Sequence, residues 1–98
     1  MDSIVELIKS IRQKPELYVG KQSLSLIQAY IYGWVNRDEE NIVDSEYLGE
    51  FQDWIQAKYN ITSTQSWASI ILFFSIDERD ALNRFFLLFD EFLNERKK

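Results

Sequence analysis

Histidine and cysteine are absent from this chain of 98 residues, and glycine (three) and proline (one) are scarce. Without cysteine there is no disulfide framework, no thiolate nucleophile and no zinc–thiolate site, which fits a reducing compartment. Without histidine the commonest general base, the commonest metal ligand and the usual partner of a serine or cysteine nucleophile are missing. Carboxylate, lysine, tyrosine and serine chemistry remain, so an enzyme is disfavoured without being excluded. Positive charge is absent from one long stretch: no Lys or Arg lies between Asp38 and Ala57. Long apolar runs are absent too. The longest, Ala68 to Phe74 around Ser69, falls far short of a membrane span. The opening MDSIVELIKSIRQ places acids before its apolar residues and has no basic segment leading to a cleavage site. It does not read as a signal peptide, and a cytoplasmic protein is the expectation.

What is present points to one folded domain spanning residues 1–98. Hydrophobic residues make up 46% and aromatics 15%, which argues against disorder. A chain of this length buries roughly 60–65% of its unfolded surface, enough for a core without metal or disulfide. Sixteen acids against 11 bases give a net charge of −5. Seven of those acids (Asp38, Glu39, Glu40, Asp44, Glu46, Glu50 and Asp53) fall in the base-free stretch, bounded by Arg37 and Lys58. A local field of one sign is self-repulsive, and a basic partner is one common reason to keep it. The same acidic balance argues against direct nucleic-acid binding, which needs a basic stripe to replace counterions on phosphate.

Apolar spacing of helical period, with few turn formers, predicts an all-α bundle of about five helices. The first begins at Asp2 or Ser3, where Ser3 and Glu6 have capping-box spacing, and Pro15 stops it. Lys14 to Gly20 is a loop or a single turn. A second helix runs from Ser23 to about Asn36 and is apolar nearly all round, which predicts a central place in the bundle. Gly33 within it suggests a close helix crossing. The acidic stretch from Arg37 to Ser45 is the longest connection. A third helix, about Ser45 to Tyr59, carries Tyr47, Leu48, Phe51, Trp54, Ile55 and Tyr59 on one face. Glu46, Glu50 and Asp53 lie beside it within an arc of roughly 60°. Trp67 to Phe74 suits a buried strand or a buried helix. With no second strand to pair with it, helix is the expectation. The last helix begins near Asp77, with Ser75 and Glu78 at capping-box spacing, and runs to about Asn94. Its core face is Leu82, Phe85, Phe86, Phe89, Phe92 and Leu93. Trp67 and Phe86 are expected in the core.

Charge runs are usually solvated faces, but ordinary surfaces interleave the signs and this one does not. The acidic block is therefore read as a partner-binding surface made of Asp38, Glu39, Glu40, Asp44, Glu46, Glu50 and Asp53. Tyr47 and Trp54 border it as aromatic anchors. A metal site from Glu46, Glu50 and Asp53 carries less weight, because one helix face supplies one side of a shell at most. A diiron bundle would need Glu-x-x-His partners. No metal or cofactor is expected. The Tyr18–Gly20 turn suits a binding loop or a glycine with positive φ.

Arg12-Gln13-Lys14-Pro15-Glu16-Leu17-Tyr18-Val19-Gly20, followed by Ser23, Leu26, Tyr30 and Gly33-Trp34, resembles the opening R-x-x-P-x-[ML]-Y-[IVL]-G … S … G-[YW] of a group of small bacterial proteins linked to polymorphic-toxin and contact-dependent growth inhibition loci. Phe51-Gln52-Asp53-Trp54, Ser66-Trp67, Phe85-Phe86 and Phe89-Asp90-Glu91-Phe92 are also similar to that group. The resemblance spans nearly the whole chain, through short and mostly structural motifs. It implies an immunity protein, which neutralises the toxic domain of a co-produced effector by binding it without catalysis. The acidic block fits that role, since a nuclease toxin must present cations to phosphate. The alternative is a small adaptor or regulatory domain that docks a basic peptide or a subunit of a larger complex.

Overall fold

Serine hydroxyls set three of the helix starts. Ser3 Oγ accepts from the Glu6 N–H at 3.3 Å, Ser23 Oγ from Leu26 N–H at 3.3 Å, and Ser66 Oγ from Ser69 N–H at 3.2 Å. Each satisfies an amide that the helix itself leaves unpaired. The computed structural model describes residues 2–97. In order it forms α1 (Ile4–Gln13), α2 (Glu16–Val19), α3 (Leu24–Arg37), a 3-10 turn (Glu39–Asn41), α4 (Tyr47–Lys58), α5 (Trp67–Phe73) and α6 (Glu78–Arg96). The all-helical expectation holds. The sixth helix is the single turn α2, which starts beyond Pro15 and closes on Gly20, with φ at 83°. That left-handed conformation is the one glycine adopts without strain. Residues 67–73 are helical, and no strand occurs among the described residues. Their one β pairing is an isolated parallel bridge between Asp2 and Ile42.

The start of α6 differs from the capping box expected of Ser75 and Glu78. Asp77 Oδ1 accepts from Asp80 N–H at 2.8 Å, and Asp80 Oδ2 accepts from Ile76 N–H at 2.9 Å. Two carboxylates, stronger acceptors than a hydroxyl, make the cap. Ser75 turns back instead and donates to the Ile71 carbonyl at 2.6 Å.

The centre of the bundle is α6, not α3. It buries Ala81, Leu82, Phe85, Phe86, Leu88, Phe89 and Phe92 and packs against α3, α4 and α5. On α3 only Leu24, Ile27, Ile31 and Val35 are buried. Its other apolar residues include Tyr30, Tyr32 and Trp34, which are only half-buried. Gly33 has no heavy atom within 4 Å of where a Cβ would stand, so no close crossing explains it. Phe51 of α4 is the hub of an aromatic cluster. Its ring centroid lies 5.3–5.8 Å from those of Trp67, Phe85, Phe89 and Phe92, all edge-on. Such pairs contribute about 0.5–1.5 kcal/mol each beyond simple burial. Trp67 is fully buried, stacks on Phe85 at 4.9 Å and donates its indole N–H to the Tyr32 hydroxyl at 2.9 Å. Phe86 is buried as well.

Candidate functional site: the acidic face of α4

The stretch that follows α3 is ordered by its contacts with α1. The Asp2 N–H donates to the Asn41 carbonyl at 3.2 Å, and the Val43 N–H donates to the Asp2 carbonyl at 3.0 Å. This brings Asp44, 7% exposed, over the start of α1. Its carboxylate accepts from Ile4 N–H at 2.6 Å, Val5 N–H at 3.1 Å and the Ser3 hydroxyl at 2.8 Å. These are the orphan donors of a helix N-terminus, where negative charge is also favoured by the helix dipole. Asp44 therefore leaves the partner-binding set: it is buried, and its oxygens are occupied by internal donors.

The remaining acids divide into two groups. Asp38 accepts from the Asn41 side-chain amide at 2.7 Å, and Glu39 and Glu40 are exposed on the 3-10 turn beside it. Among the described residues no hydrogen bond or ion pair joins these three to the acids of α4. Glu46 stands just before α4 and is exposed, with no side-chain capping bond. Asp53 is exposed one helical face along.

Glu50, between them, is held by a residue that sequence reasoning did not place there. Arg96, in the last turn of α6, donates Nε to Glu50 Oε1 at 2.9 Å and Nη2 to Oε2 at 3.1 Å. Its Nη1 donates to the Tyr47 hydroxyl at 3.0 Å, and its guanidinium lies 4.1 Å from the Tyr47 ring centroid. This two-pronged bond holds the Glu50 carboxyl below its ordinary pKa and raises that of Arg96. Glu50 is thus neutralised from within, and the net field on α4 comes from Glu46 and Asp53. A second cross-helix bridge, Lys58 Nζ to Glu91 Oε2 at 2.9 Å, raises the Lys58 pKa.

Trp54 is half-buried. It stacks on Phe51 with centroids 6.0 Å apart, meets Phe92 edge-on at 6.0 Å and carries the Lys58 ammonium 5.3 Å from its ring. Between α4 and α6 lies a shallow open depression of ≈ 350 Å³, lined by Trp54, Phe92, Glu50, Asp53, Glu95 and Arg96. Of the sequence-derived set, the structure gathers Glu50, Asp53 and Trp54 around this depression, with Tyr47 one contact away through Arg96. Glu95 and Arg96 were missed. They come from the far end of the chain, and the only sequence signal was charge at helical spacing on the last helix. No group of three or more acids is gathered as a metal-binding cluster among the described residues.

One further surface was missed. Phe73, Phe74 and Ile76 were read with a buried element or left aside, yet they are exposed where α5 turns into α6. Their helix buries Trp67, Ala68, Ile70 and Ile71, and its last residue, Phe73, is exposed. No helix among the described residues is long and apolar enough to cross a membrane. No protein-family model matches the chain, and neither does any curated protein or solved structure.

Proposed function

We propose that this chain is a non-catalytic, cytoplasmic binding protein that holds a basic surface of a protein partner against α4 and the adjoining end of α6. The observation that carries this reading is the α4–α6 depression, where an apolar floor of Trp54 and Phe92 is edged by Asp53 and Glu95. A half-exposed aromatic anchor beside like charges suits a partner whose lysines or arginines surround an apolar group. The charges steer the encounter and the ring supplies the area. The resemblance of Arg12–Gly20 to immunity proteins supports a toxin domain as the partner class. A nuclease toxin offers the required surface, because its active-site cleft must attract phosphate.

The test is to look for a toxin domain encoded beside this chain and to co-express the two, followed by affinity measurement at low and high salt. The variant is Glu46→Lys with Asp53→Lys, which leaves the Glu50–Arg96 pair and the Asp44 cap intact. Lysine is a good helix former, so melting should match the parent. Association should slow by about tenfold or more and lose its salt dependence. A variant that binds and responds to salt like the parent places the interface elsewhere. A parent that neither binds nor protects against the neighbouring toxin removes the immunity reading.

A further inference from the structure

Between residues 9 and 37 the chain carries five bases (Lys9, Arg12, Lys14, Lys21 and Arg37) and a single acid, Glu16, against a net charge of −5 for the whole. Part of this stretch borders an open groove of ≈ 410 Å³ between α6 and the corner where Pro15 ends α1 and α2 begins. On α6, Asn83 and Leu87 line the groove, and Arg79, four residues earlier, continues their stripe. The acids at the groove are already engaged. Asp90 accepts from Arg12 Nη1 at 2.7 Å, and Glu16 accepts from the Gln22 side-chain amide at 2.6 Å. The Gln22 bond, assisted by the charges of Lys14 and Arg79, holds the Glu16 carboxyl below its ordinary pKa. Glu78, beside Arg79, is turned onto Ser23 and Ser25 at the start of α3. Lys14, Arg79 and Lys21, next to Gln22, take part in no ion pair among the described residues. Three unpaired bases thus stand against Glu16, and the charge left over here is positive in a chain that is negative as a whole.

We propose that this groove is a second docking site, separate from the α4–α6 depression, and that it takes an acidic, extended peptide segment of a protein partner. Three features of the groove select three parts of such a segment. Gln13 on one wall and Asn83 on the other are exposed, and neither carboxamide is bonded among the described residues. Each offers a donor and an acceptor, which match the C=O and N–H of a peptide main chain. A helical segment has those groups already paired and leaves the carboxamides unused, so the occupant is extended. Leu87, 61% exposed, stands with Pro15 as a seat for an apolar side chain. Lys14, Lys21 and Arg79 are the counter-charge for its carboxylates, and a basic segment would meet them as repulsion. A nucleic acid would also bring negative charge, but its bases need an exposed ring to stack on. The one ring lining the groove, Phe86, is 5% exposed and has the Arg12 guanidinium 5.6 Å from its centroid. The two docking faces therefore prefer partner surfaces of opposite sign.

Panning phage-displayed random dodecapeptides on the immobilised full chain tests the proposal, with the Arg79→Glu, Leu87→Ser double variant as counter-target. Both side chains are exposed, and an acid in the first turn of α6 suits the helix dipole, so this variant should melt like the parent. Sequences enriched on the parent alone should carry more Asp and Glu than Lys and Arg, together with an apolar residue. The most enriched one, synthesised, should bind the parent less tightly as salt rises and the double variant about tenfold or more weakly. Lys14→Glu, altered on the other wall, should weaken binding in the same direction. Glu46→Lys with Asp53→Lys should leave it unchanged, which separates this groove from the α4 face. The proposal is overturned if no sequence is enriched over the counter-target, if the enriched sequences lack an acidic excess, or if the affinity ignores salt or Lys14→Glu. It is equally overturned if the α4 variant loses the peptide, or if equimolar oligouridylate displaces it.

Discussion

The amides of Ile4 and Val5 open a helix and have no carbonyl behind them to bond; Asp44 supplies the acceptor from across the chain. Asp53, in the same acidic run, is exposed and meets no donor among the described residues. Composition could not separate the two, because a cap contributed from a distant segment leaves no local spacing to read. The caps at Ser3 and Ser23 were legible for the opposite reason: each serves an amide three residues on. Gly33 was legible as a weak point in α3 but not in its cause. Its position is exposed and open to a Cβ, and its backbone is helical. Gly33→Ala should therefore stabilise the protein by about 0.5–1 kcal/mol, measured as a shift in urea midpoint at unchanged slope. A loss of stability would mean that an unseen neighbour requires the glycine.

Helices were predicted where their signals are local, and misjudged where the outcome depends on other helices. Both α3 and α6 carry broad apolar faces; α6 takes the centre because its phenylalanines meet Phe51 and Trp67, a match visible only in three dimensions. Glu78 shows the same limit. It was read as capping its own helix, yet it caps α3, accepting from Ser25 N–H at 2.9 Å, the Ser25 hydroxyl at 2.7 Å and the Ser23 hydroxyl at 3.1 Å. Burial opposes its charge, but these donors outweigh burial and hold its pKa below the ordinary glutamate value. Because the folded pKa is the lower one, this stabilisation is complete above the unfolded value and is lost as pH falls through the folded value. Glu78→Gln should cost about 1 kcal/mol at neutral pH, and the gap to the parent should close at an acidic pH below the folded value. Urea titrations at the two pH values check it; a gap independent of pH would assign the loss to shape instead of charge.

At the scale of the molecule, the sum of charge was legible and its distribution was not. Helical period placed Glu50, Asp53 and Trp54 on the flank of α4 that lines the depression, while Glu46 stands before the helix and Glu95 and Arg96 joined them only through the fold. The result is a chain whose three tryptophans stand at two depths in three electrostatic settings. Trp67 is sealed in the core; Trp34 is half-buried with the Arg37 guanidinium 6.0 Å from its ring. Trp54 is half-buried beside Asp53 and Glu95, with the Lys58 ammonium 5.3 Å from its ring but paired to Glu91, and Arg96 paired to Glu50. Each therefore answers to a different collisional quencher of fluorescence. In a Trp34→Phe variant, caesium should be drawn to Trp54 and dim it while iodide is turned away, and Trp67 should keep its emission until the core opens. Equal quenching by the two ions would show that the acids do not control access to Trp54. Loss of the caesium response on adding a partner, with Trp67 still bright, would report occupation of the α4–α6 depression without any attached label.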